Sequence, residues 1–243
     1  MILSRLHPVQ EAVRSRPREV EWVLFDSARR DRRTGELKRT CRSLGVAVRY
    51  GQKKALDRLA GSGHQGVVAR LGVRAYLPPE AAFEGPAGER FLLVLDEVQD
   101  PQNLGAILRV AEAVSARVVL PERGSAPLSE AVARSSAGAV ERVPIIRAGN
   151  LRRFIDVLKN QGFRVAGLDP SGDEIFRIDL SGDLALVVGS EGKGIRRLVR
   201  EGCDVLARLP MKGALASLNV ATATAAAAYE VVRQRSSSPK ALD

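Results

Sequence analysis

The chain has 243 residues, 45% of them hydrophobic, and a formal net charge of +10. That is enough apolar material for one large domain or two small ones with buried cores, which excludes global disorder. No apolar run reaches the length of a membrane span: the longest candidate, Ala221 to Val232, is short and interrupted by Thr222, Thr224 and Glu230.

In chain order, the first third reads as a small alternating unit. A helix is predicted from about Val9 to Ser15, a strand at EVEWVLF around Trp22, and a helix over Leu37 to Leu44. A short strand VAVRY, a helix over Gln52 to Leu59 and a strand GVVARL follow. Aromatic residues are sparse here, so Trp22 is read as core and not as a platform for a base. The stretch Tyr76 to Glu89, rich in Pro, Gly and Ala and without periodicity, reads as a linker. Beyond it, FLLVLDEV, RVVLP, VPIIR, FRVAGLD, LALVVG and DVLARLP are short apolar strands. They alternate with the helical segments LGAILRVAEAV, SEAVARSS, NLRRFIDVLKN, GIRRLVREG and LNVATATAAAAYEVVRQR. That alternation predicts an α/β fold with a parallel sheet covered on both faces. The tail SSSPKALD is expected to fray.

Charge divides at the linker. Residues 1–75 hold 17 Lys and Arg against 7 Asp and Glu, whereas residues 76–243 hold 21 of each sign. Basic side chains gain affinity for a polyanion by releasing its counterions. The expected organisation is therefore a basic nucleic-acid-binding domain over 1–75, a linker over 76–88 and a domain carrying the chemistry over 89–243. Two histidines (His7, His64) and two distant cysteines (Cys41, Cys203) offer no metal-ligand spacing, and no metal is expected. The opening MILSRLHPVQEAVRSR lacks an apolar stretch followed by a small-residue cleavage site, so a cytoplasmic protein without membrane association is expected.

Parallel α/β sheets hold ligands beyond the C-terminal ends of their strands, and three such segments carry candidate chemistry. In DPQNLGAILRVAEAV, Asp100 and Pro101 start a helix, with Asn103 also able to cap; Arg109 follows Gly105 by four residues and shares its face, although this segment alone favours reading Arg109 as an ordinary solvated helix residue. In LALVVGSEGKGIRRLV, a buried strand ends in a glycine-rich turn that is neither a P-loop nor a dinucleotide turn. Glu191 inside that turn disfavours a phosphate and suits a cationic ligand such as S-adenosylmethionine. In LPMKGALASLNVATATAAAAYE, a loop leads to an alanine-rich helix predicted to start at Leu218 with Ser217 as its cap. Asn219 falls in the first turn, and the small side chains suit close helix packing or a subunit interface.

These three segments resemble the SPOUT superfamily, in particular its SpoU/TrmH branch of RNA ribose 2′-O-methyltransferases. The resemblance rests on Asn103 and Arg109 six residues apart, on Gly189, Glu191 and Gly192 after a strand, and on LPMKGALASLNV from Leu209 to Val220. HQGVVARL and SSAGAVERVPI, with the basic leading domain, are similar to the bacterial subgroup that modifies a guanosine of 23S rRNA. Leu209 stands where Ile is usual and Ala221 where Ser is common, both tolerable changes.

The resemblance implies a parallel sheet with a C-terminal trefoil knot, preceded by a small α/β domain like RNA-binding ribosomal proteins. It also implies S-adenosyl-L-methionine as cofactor and a homodimer with the active site at its interface. Arg109, Asn103, Glu191, Ser217 and Asn219 would be catalytic; Gly189, Leu209, Met211 and Leu218 would contact the cofactor. A ribose 2′-oxygen would attack the methyl group in line. Arg109, always protonated, suits stabilising the developing alkoxide or anchoring a phosphate better than acting as a base. The same chemistry on tRNA or another rRNA site, or a non-catalytic RNA-binding protein on this scaffold, are the alternatives.

Overall fold

The computed structural model describes residues 1–72, 75–215 and 217–237. The chain forms two compact units, one of Met1–Ala75 with Pro127–Arg142 and one of Tyr76–Ala126 with Val143–Asp243.

The first unit is built on a four-stranded sheet of β1 (Ile2–Ser4), β2 (Val20–Asp26), β3 (Val48–Gly51) and β4 (Val67–Leu71), in the order β1-β4-β2-β3. β2 and β3 are parallel; the other pairs are antiparallel. Its helices are α1 (Leu6–Ser15), α2 (Arg32–Ser43) and α3 (Lys53–Ala60). Asp31 starts α2 by accepting a hydrogen bond from the Thr34 N–H. Trp22 is buried with Leu24, Leu56 and Val68, as the sequence reading expects.

The insertion Pro127–Arg142 carries α5 (Glu130–Ser135), one of the helices read along the second domain, yet it packs in the first unit. Ser4 donates to Glu130 at 2.9 Å, and the buried Arg16 guanidinium pairs with the equally buried Glu141 at 2.6 Å. β1, only three residues long, is too short to show a period in sequence.

The second unit is a six-stranded parallel sheet, in the order β10-β8-β9-β5-β6-β7. Its strands are β5 (Phe91–Leu95), β6 (Arg117–Pro121), β7 (Ile145–Ala148), β8 (Arg164–Glu174), β9 (Leu184–Val188) and β10 (Val205–Arg208). β5 and β9 are buried at every position, the mark of strands covered on both faces. Leu92, Val94, Ala185 and Val187 share one core with Phe154, Ile155 and Leu158 of α6 (Leu151–Asn160) and Val199 of α7 (Arg197–Gly202). The alternate row, Leu93 and Leu95, is left to the side where α4 (Pro101–Ala113) and α8 (Val220–Ser237) pack against each other. The segment read as a linker is partly core: Leu77 bridges to Ile146, and Ala81 and Ala82, in a 3-10 turn over Pro79–Phe83, are buried in the same cluster. Of the tail, Ser236 and Ser237 close α8, and residues 238–243 lie outside the described residues.

β8 is longer than its neighbours because its pairing with β10 breaks. Leu206 pairs with Gly167 and the next residue, Ala207, pairs with Asp173, so Leu168 to Gly172 loop outward. A Cβ on Gly172 would sit 2.4 Å from the Leu206 backbone, so only glycine lets the strand rejoin there.

Candidate active site

A cavity of about 540 Å³ opens at the outward loop of β8 and beyond the C-terminal ends of β9 and β10. Three walls enclose it: the β8 loop with Leu168, Asp169 and Pro170, the turn from Gly189 to Gly194, and Leu209, Met211 and Ser217 to Asn219 leading into α8. Of the nine residues singled out in sequence, Gly189, Glu191, Leu209, Met211, Ser217, Leu218 and Asn219 line this one cavity. Ala216 of the third motif lies outside the described residues.

The glycine turn is doubled back on itself. Ser190 and Gly194 exchange backbone hydrogen bonds at 3.1 and 2.9 Å, and a Cβ on Gly189 would lie 2.0 Å from the Gly194 carbonyl carbon. Glycine at 189 is therefore a steric requirement of the turn itself. The turn is held from below by a residue the sequence reading did not single out. Asp96, fully buried just past β5, accepts hydrogen bonds from the Arg196 backbone N–H and Nε, both at 2.8 Å. Glu97 adds a second carboxylate 3.3 Å from Arg196 and takes a left-handed backbone with φ of 62°. A non-glycine residue there costs about 1–2 kcal/mol, so the bend is maintained by its surroundings. The available signal was a pair of carboxylates at the end of a buried strand (VLDE).

The three motifs meet through side-chain amides. Asp100 caps α4 by accepting from the Gln102 N–H at 3.0 Å, which leaves Asn103 free for another task. Asn103, nearly buried, donates to Glu191 Oε2 at 3.1 Å and accepts from Asn219 Nδ2 at 2.9 Å. Asn219 Oδ1 in turn accepts from the Ala221 and Thr222 N–H groups at 2.9 and 3.4 Å. The cap of α8 is thus Asn219, and the helix begins at Val220 instead of Leu218. Ser217 is exposed on the approach; an Asn amide serves as cap as well as a Ser hydroxyl, and one set of helix N–H groups needs only one. Asn103 therefore bridges the glutamate of the turn and the start of the last helix.

Arg109 is not brought into this constellation. It lies exposed on α4, does not line the cavity and has no ion pair or hydrogen bond among the described residues. Gly105, one turn earlier, is buried, so the face the two were expected to share is not a common surface. The alanine-rich helix likewise turns much of its small surface inward: Ala227 and Ala228 are buried, while Ala226 and Tyr229 face outward.

The cavity suits a cationic, partly apolar ligand. Leu168, Leu209, Met211, Leu218 and Val220 supply apolar walls, and Asp169 and Glu191 supply carboxylates. Burial opposes ionisation of Asp169, but the Ser171 hydroxyl and N–H and the Arg200 guanidinium outweigh it and hold the carboxyl below its ordinary range. Among the described residues Arg208 is the one arginine on the wall, and it is paired with Glu174 at 3.1 Å. A volume in the range of small-molecule sites, lined by backbone, apolar side chains and two carboxylates, fits S-adenosylmethionine with its sulfonium and amino groups.

Comparison with known proteins agrees. Residues 90–229 match the model of the SpoU rRNA methylase family, and residues 6–76 match a domain described as RNA 2′-O ribose methyltransferase substrate binding. A 23S rRNA (guanosine-2′-O-)-methyltransferase RlmB of Ralstonia nicotianae is 39% identical over 98% of this chain and 97% of its own. The RlmB of Pseudomonas aeruginosa is 38% identical over 95% of each. Among solved structures, the SpoU methyltransferase AviRb of Streptomyces viridochromogenes in complex with AdoMet superposes with a TM-score of 0.82 at 26% identity, covering 98% of this chain and 91% of that one. On these matches the chain belongs to the SpoU rRNA methylase family and is an S-adenosylmethionine-dependent RNA ribose 2′-O-methyltransferase.

Proposed function

We propose that the chain methylates the ribose 2′-hydroxyl of a guanosine in 23S rRNA, acting in the cytoplasm as a homodimer. The observation that carries this reading is the junction of Asn103, Glu191 and Asn219 at the wall of the cavity, one residue from each motif in a single run of hydrogen bonds. The target is supported by relatives named for that reaction, similar over nearly their whole length.

Bound in the cavity, S-adenosylmethionine supplies an electrophilic methyl group for the ribose oxygen. Gly189, Leu209, Met211 and Leu218 hold it, largely through backbone. Glu191, Ser217 and Asn219 face the same space and orient the ribose, with Asn103 fixing the first and third. Arg109, exposed and without an ion pair or hydrogen bond among the described residues, meets the substrate when a second copy completes the site; its guanidinium stabilises the oxygen as the proton leaves. The dimer contact uses the outward faces of α4 and α8, since Ala227 and Ala228 are internal. The knot is supported by two features: the break in β8–β10 pairing, and the position of Leu209, Met211 and Ser217 to Asn219 beside the Gly189–Gly194 turn at one cavity. The first unit, with its excess of Arg and Lys, holds the RNA.

Incubation of the protein with RNA and methyl-labelled cofactor, followed by alkaline hydrolysis, tests the chemistry. A methylated ribose blocks cleavage at its 3′ phosphate, so label in alkali-resistant dinucleotides is expected. Label confined to mononucleotides would mean base methylation and overturn the reading.

A further inference from the structure

The second unit is neutral overall, yet its charge is not spread evenly. A second cavity of about 410 Å³ lies beyond the ends of β6 and β7, and its lining includes Arg123, Arg152, Arg196 and Arg197 with one acidic residue, Glu122; the Arg196 guanidinium is already held by Asp96 and Glu97. Arg152 and Arg197 have partners four residues on, Asp156 and Glu201, in exposed pairs of the kind that contribute little and exchange readily. Arg123 is exposed and has no ion pair among the described residues. Leu198, 55% exposed, adds an apolar surface between these charges.

We propose that this cavity binds a nucleotide of the RNA strand next to the methylated one, its phosphate on Arg123 and Arg197 and its sugar or base against Leu198. Two features connect it to the site already described. The turn that walls the methyl-donor cavity with Gly189 to Gly194 walls this one with Arg196 to Val199. Arg196, held by Asp96, joins that turn to α7. The two cavities also sit at the same end of one parallel sheet: β9 and β6 are separated only by β5, about 10 Å at ordinary strand spacing. An extended strand with its target ribose at the Asn103–Glu191 junction thus passes the arginines within its neighbouring nucleotides. An inorganic anion alone would leave Leu198 without a role, whereas a nucleotide uses both the charge and the apolar surface.

The inference rests on the RNA methyltransferase reading, and the test separates the two. Full-length wild type and Arg123→Ala/Arg197→Ala are compared on an rRNA fragment carrying, one position at a time, a neutral methylphosphonate beside the target. KM is expected to rise about tenfold for wild type at one such position, and about tenfold for the double variant on unmodified RNA, with a shallower salt dependence. The double variant should then be indifferent to that methylphosphonate, while kcat and cofactor affinity stay near wild type. Equal RNA affinity and salt slope in the two proteins would overturn the subsite while leaving methylation standing. Losses that add, with no position suppressed by the variant, would also overturn it, placing the arginines in a diffuse field. Absence of methyl transfer by wild type would remove both readings. Competition by inorganic phosphate as strong as by a dinucleotide would favour a free-anion site and overturn the RNA assignment.

Discussion

Asn103 stands at the third position of α4, where its short amide reaches both Glu191 and Asn219. The spacing of motifs in the sequence marked all three residues but could not show that they touch, because they are separated by 88 and 116 positions along the chain. Asn219 has two functions that substitution can separate. Asn219→Ala removes the cap and should cost about 1–2 kcal/mol of stability in urea unfolding. Asn219→Asp keeps a capping oxygen but cannot donate to Asn103, so it should remain folded and lose most of its turnover. Equal activity in Asn219→Asp and wild type would detach the junction from catalysis. Arg109→Ala should abolish methyl transfer and leave cofactor affinity by calorimetry unchanged, because Arg109 is outside the cavity. Arg109→Lys should recover part of the rate if a point charge suffices and almost none if the planar fork is needed. Lost cofactor binding in Arg109→Ala, with the fold intact, would move the residue to the donor side.

At the scale of elements, the strands were legible because β5 and β9 are apolar at every position, and the helices because their apolar faces repeat. The glycine turn was legible as a turn, but its support was not: the carboxylates that end β5 show in sequence, yet only the fold sets Arg196 against Asp96. Asp96→Asn should cost roughly 2 kcal/mol, as a buried acceptor of three Arg196 contacts is weakened at a guanidinium that is half exposed. It should also lower cofactor affinity by loosening the turn. Gly189→Ala is the sharper probe, because the added methyl meets backbone; calorimetry should show cofactor binding reduced more than tenfold. In the first unit, hydrogen bonds from the Arg29 side chain and the Thr34 N–H hold the Asp31 carboxyl down at about 2. Because this folded value is depressed, the cap's contribution to α2 is present above the ordinary carboxylate range and is lost as pH falls toward 2. An NMR titration of Asp31 with an ordinary midpoint near 4 would contradict that.

For the whole molecule, the uneven charge suggested a clean cut near residue 75, whereas the first compact unit joins Met1–Ala75 with Pro127–Arg142. What composition could not show is the return of Pro127–Arg142 to that unit, where Val132, Ala133 and Val140 are buried. Deleting residues 1–75 would strip cover from those side chains, so loss of RNA binding in such a fragment would be ambiguous. Reversing exposed charges on α2 in the full chain, Arg39→Glu with Arg42→Glu, is the better probe. RNA affinity should fall at least tenfold and its salt dependence should flatten, with cofactor binding unchanged. The most direct test of the central claim is a map of ribose methylation across total bacterial RNA treated with and without the protein and its cofactor. The account predicts one new 2′-O-methylguanosine in 23S rRNA that Arg109→Ala fails to install; a map unchanged by the active protein, or a methyl group found on a base, would contradict it.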